Sequence, residues 1–115
     1  MFPSLSSIAL SSTLVLAITD QVPTLNVEPG CRAAARMGNS LSLDTSLRQC
    51  LVDERGAREE LEKEWTQFAP ALRQRCVATT QSGGDASYIE VLVCLQMGHE
   101  AAKLDDTTTG RRLGN

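Results

Sequence analysis

Four cysteines, Cys31, Cys50, Cys76 and Cys94, separated by 18, 25 and 17 residues, set the tightest limit on what this chain can fold into. An even number of cysteines in a short exported chain reads as two disulfides. A tetrahedral zinc site would need two thiolates offered by a short C-x₂₋₄-C knuckle, and none of the three intervals is that short. The sequence has no C-x-x-C to place two reactive thiols at one helix start, and no C-x-x-C-H for haem attachment. The chain has 115 residues, room for one domain, and only 3% of them are aromatic. Leu, Val, Ala and Ile must therefore fill the core, with Trp65, Phe68 and Tyr88 as its few large pieces. A core this lean in a domain this small calls for a covalent staple.

Residues 1–19 carry no charged side chain, and the run 8–18, Ile-Ala-Leu-Ser-Ser-Thr-Leu-Val-Leu-Ala-Ile, is apolar or small throughout. It is too short to span a bilayer, which takes about 20 apolar residues, but it has the length of a signal-peptide core. Ala17 and Thr19 are small residues suited to cleavage. No Lys or Arg precedes the run, so the terminal amine supplies its only positive charge. The expectation is a signal peptide over 1–19, with a buried helix as the alternative. The expected address is periplasmic or secreted, with no stable membrane span after leader cleavage.

The segment 20–30 contains Pro23 and Pro29 and reads as a linker. A helical domain is expected over 31–104. Residues 31–37 are strong helix formers that stop at Gly38. The clearest element runs over 44–68, where Leu43, Leu47, Cys50, Leu51, Ala57, Leu61, Trp65 and Phe68 recur at helical steps and form one stripe. Arg55 with Glu59, Arg58 with Glu62, and Glu59 with Lys63 are spaced i,i+4 on its polar side, each pair worth a few tenths of a kcal/mol. Gly56 interrupts this helix. Pro70 suits the first turn of the next helix, which is expected to stop near 79–80. After the turn around Gly83-Gly84, Ser87 and Glu90 make the S-x-x-E pattern of a capping box opening a third helix. Residues 105–115 are polar, lack periodicity and read as a disordered tail. The expected fold is all-α: a small disulfide-stapled bundle of one long helix and two or three shorter ones.

Axial bookkeeping at 1.5 Å per residue favours Cys31–Cys50, which lie about equally far from the turn between them, and Cys76–Cys94, whose mismatch of roughly one turn a long loop can take up. Cys50–Cys76 would leave an axial mismatch of roughly 18 Å.

Little in the sequence points to chemistry. The net charge is −3 and the pI about 5.1, which argues against a nucleic-acid or anionic-membrane partner. His99 is the only histidine, so sites built on two imidazoles are excluded within a monomer. Met97 and His99 could offer thioether and imidazole to Cu(I), with Met37 as a further sulfur. A surface histidine beside a packing methionine is the simpler reading. Asp53-Glu54 and the acidic residues 59–64 alternate with Arg and Lys and read as a solvated face. Gly83-Gly84 lacks the preceding strand and following Lys of a phosphate loop. The expectation is a non-enzymatic chain with no cofactor and no catalytic or metal site.

The stretch from Cys50-Leu-Val-Asp-Glu-Arg to Trp65-Thr-Gln-Phe68, with Arg75-Cys76 and Ser87-Tyr88-Ile-Glu90 through Cys94-Leu-Gln-Met97, resembles a family of small uncharacterised exported proteins of alphaproteobacteria, rhizobia above all. The likeness covers roughly residues 31 to 100. It implies an exported four-cysteine helical fold and assigns no activity. The function expected is a periplasmic interaction or envelope-support module, its partner another envelope protein. The alternatives are metal handling through Met97 and His99, and a small stress chaperone.

Overall fold

The computed structural model describes residues 20–38 and 42–113; the expected signal segment lies outside them. Among them four helices follow one another: α1 (Glu28–Met37), α2 (Leu43–Glu64), α3 (Pro70–Ser82) and α4 (Tyr88–Leu113), with a 3₁₀ turn at Trp65–Gln67 closing α2. No strand occurs among the described residues, so the expected disulfide-stapled all-α bundle is the fold that forms.

Local sequence sets each boundary. Ser42 caps α2, its Oγ accepting the Thr45 N–H at 3.2 Å. Pro29 and Pro70 sit in the first turns of α1 and α3, where a missing N–H costs nothing. Gly83 follows α3, and its N–H reaches the Thr79 carbonyl at 3.3 Å. Helix α3 runs to Ser82, past the stop expected near 79–80. The Thr79 and Ser82 hydroxyls return to carbonyls one turn back, of Arg75 and Ala78, which suits them to this last turn.

Two disulfides join neighbouring helices: Cys31–Cys50 ties α1 to α2, and Cys76–Cys94 ties α3 to α4. Between them α2 packs on α4. The core lies along this seam, where Ala57, Leu61 and Trp65 of α2 and its closing turn meet Tyr88, Val91 and Leu95 of α4, with Phe68 and Cys76 alongside. Leu61 and Leu95 are wholly buried. Burying side chains of this size contributes roughly 1.5–3 kcal/mol each.

Two expectations need correction. Residues 20–30 are not a free linker. Leu25 is buried, Val22 and Val27 pack on the core, and the Leu25 N–H donates to the Tyr88 hydroxyl at 2.7 Å. The apolar residues at 22, 25 and 27 give this extended stretch a side to bury, and Glu28, Pro29 and Gly30 already belong to α1. The segment from 105 is not irregular either, because α4 continues through it to Leu113. No proline interrupts it, Lys103 pairs with Glu100, and the Thr107 hydroxyl bonds back to the Lys103 carbonyl. Residues 100–108 of this extension are exposed on every side.

Candidate functional site

Among the described residues, a polar cluster drawn from three helices gathers where α4 begins. Ser87 precedes α4 and its Oγ accepts the Glu90 N–H at 3.3 Å, one half of the capping box. The other half is diverted. The Glu90 carboxylate accepts the Thr80 hydroxyl at 2.9 Å, and the Ser87 N–H donates to Thr80 Oγ1 at 3.0 Å. Thr80, near the end of α3, thus takes the place that a capping-box glutamate would fill.

Glu54 completes the cluster from α2. Its carboxylate accepts the Ser87 hydroxyl at 2.6 Å, the Tyr88 N–H at 2.7 Å and the Ile89 N–H at 3.4 Å. A negative group at the positive end of α4 satisfies amides that have no partner inside the helix. Glu54 is only 5% exposed, which overturns its expected place on a solvated face. The signal was in the spacing: Cys50, Glu54, Ala57 and Leu61 step by four, three and four, so Glu54 lies on the apolar stripe. Asp53, one position earlier, is exposed and accepts from the Gln49 side-chain amide of its own helix at 3.0 Å.

Beside this cluster lies a crevice of about 290 Å³, lined by Val27, the Cys31–Cys50 bridge, Glu54, Asp85 and Glu90 among others. Of its polar lining, Glu54 accepts from Ser87 and Glu90 accepts from Thr80. Ser87 bonds to a carboxylate that already holds two amides, and no imidazole stands there to take a proton from its hydroxyl. The arrangement can join three helices; it has no nucleophile with a free base.

The other residues singled out in the sequence are scattered. His99 is half-buried, its ring edge-on to Phe68 at 5.7 Å, and lines a separate groove with Glu64, Gln67 and Gln96. Met97 is 68% exposed. Two positions apart on a helix means about 200° of rotation, so the structure turns Met97 and His99 to different sides of α4. Met37 is exposed at the end of α1. No group of three or more His, Cys, Asp or Glu able to hold a metal occurs among the described residues. Trp65 and Phe68 are core. On the outer face Arg58 pairs with Glu62 as its spacing suggests, whereas Lys63 turns to Glu60 rather than Glu59. The Arg58 guanidinium also sits over the Tyr88 ring at 5.6 Å.

None of the helices among the described residues is long and apolar enough to cross a membrane. Comparison with protein-family models, with curated proteins and with solved structures yields no match for this chain.

Proposed function

We propose that this chain is an exported, non-catalytic module of the cell envelope that works by holding another protein. The two disulfides support an oxidising compartment, since such bridges persist outside the reducing cytosol. The periplasm is the reading favoured by the apolar run at 8–18 and by the likeness to exported alphaproteobacterial proteins.

One observation carries the contact role. Ile89, Val93, Met97 and Leu104 form a row along α4 that faces away from the core, with exposures of 39%, 46%, 68% and 68%. The row leads onto residues 100–108 of α4, which are exposed on every side. A free helix of that length is marginal in water, and an apolar helix of another envelope protein laid along the row would support it.

A photo-activated cross-linker placed at Val93 or Met97 in the native host tests this. The expected result is one discrete adduct with a second protein from these positions and none from Glu59 on α2. Adducts at twice the chain's own mass would make the partner a second copy. Equal labelling from Glu59 would sink the contact reading. The export reading has its own test in the intact mass of protein recovered from the host. It should lack the leader and show the hydrogens lost to two bridges; free thiols on a chain that retains residues 1–19 would overturn it.

A further inference from the structure

Arg73 stands in the first full turn of α3, and it is buried, with 5% of its surface exposed. Its Nε and Nη1 are sealed from solvent and bond to nothing. No described carboxylate forms an ion pair with it. Its guanidinium carbon lies 5.4 Å from the centre of the Trp65 ring. The face of an indole attracts a cation, but it offers nothing to N–H groups that point outward in the guanidinium plane. A buried guanidinium in this state calls for an acceptor with negative charge.

The surroundings supply the rest of such a site. Helix α3 has 13 residues and opens at Ala69, whose side chain cannot cap it, and Pro70 has no N–H to offer. The Ala71 and Leu72 amides therefore stand at the positive end of the helix without a side-chain partner. Side chains of a helix lean towards its N-terminus, and the contact with Trp65, which precedes α3, shows that Arg73 does so. Ala69, Pro70 and Ala71 are exposed, which leaves that end of the helix open to solvent.

We infer that Arg73, backed by Trp65 and joined by the first amides of α3, forms a binding site for a carboxylate. A planar carboxylate matches the planar donor set of a guanidinium better than a spherical anion does. It could arrive as a small free acid or as the carboxyl end of a polypeptide. The site lies apart from the apolar row of α4 and does not depend on the contact role proposed above.

The only tryptophan of the chain lies against this arginine, so its fluorescence reports the site directly. Titration of the full chain with acetate, with a short neutral peptide ending in a free carboxylate, and with the same peptide amidated, should give a saturable change in Trp65 emission for carboxylates alone. Sodium chloride at equal ionic strength sets the baseline. Saturation by acetate and peptide alike assigns the site to any small carboxylate; saturation by the free-ended peptide only assigns it to a protein terminus. Arg73→Met should weaken half-saturation by about tenfold or more, and Arg73→Lys, which keeps charge and loses the planar donors, should fall between. Should Arg73→Met fail to fold, the wild-type titration decides. A response that follows ionic strength, equal for chloride and acetate, or one unchanged in a folded Arg73→Met, overturns the site.

Discussion

Leu72 of α3 packs onto Gly98 of α4 so closely that a Cβ at position 98 would stand 2.6 Å from Leu72 Cδ1 and 3.1 Å from Cδ2. The two helices meet here backbone to side chain, one turn beyond the Cys76–Cys94 bridge on α4. A glycine in mid-helix costs roughly 1 kcal/mol against alanine, so its presence here has a packing cause.

Gly98→Ala should therefore gain less than the roughly 1 kcal/mol that its helix propensity offers, because the half-buried Leu72 must first swing away. In a Leu72→Ala background the same change should be more stabilising. A double-mutant cycle in urea measures the coupling. Additive effects would mean that the two side chains do not share this space.

Gly56 is the opposite case. Nothing lies within 4 Å of where its Cβ would be, and the residue is exposed. Gly56→Ala should stabilise the chain by about 0.5–1 kcal/mol, read as a rise in the urea midpoint at unchanged slope.

Removal of the Glu54 carboxylate should be far more costly than any change to the exposed acids of α2. Glu54→Ala strands the Ser87 hydroxyl and the Tyr88 and Ile89 amides, and a loss of about 2–4 kcal/mol is expected. Glu54→Gln keeps an acceptor and should lose less. Glu60→Ala, which breaks only an exposed pair with Lys63, should stay within about 0.5 kcal/mol. Similar losses for Glu54 and Glu60 would remove Glu54 from its capping role.

Each disulfide closes a short loop, with sequence separations of 19 and 18, so each should contribute about 3 kcal/mol on the chain-entropy account. Paired Cys→Ser changes, Cys31 with Cys50 or Cys76 with Cys94, should lower stability by comparable amounts. Cys76 is fully buried in the main core and Cys94 packs beside it, so the second pair should cost the more through lost packing. Thermal melts of the two variants, run side by side, check the order.

Much of this architecture was legible in the residues. The stripe from Leu47 to Phe68, Pro70 at a helix start and Ser87 with Glu90 at another are local signals, and local structure follows them. What the sequence could not show are features decided by a distant neighbour. The spacing puts Glu54 on the apolar stripe, but only the arrival of α4 with unpaired amides shows what the carboxylate binds there. Gly98 resembles Gly56 in the sequence, and only the approach of Leu72 separates them. The segment at 20–30 has proline enough for a linker, and only the Tyr88 hydroxyl shows where Leu25 is held. Residues 105–108 lack periodicity because this stretch of α4 is exposed on every side and has no face to pattern.

Both sulfur bridges close within consecutive helix pairs, and neither spans α2 and α4. The molecule is thus two locked loops laid against each other along a mixed apolar seam centred on Leu61 and Leu95 and held by the Glu54 carboxylate. Under load it should part at that line first, with amide protons of α2 and α4 losing protection together while each loop keeps its ends tied. Oxidised chains would then re-close by docking two preformed halves rather than by searching from an open coil.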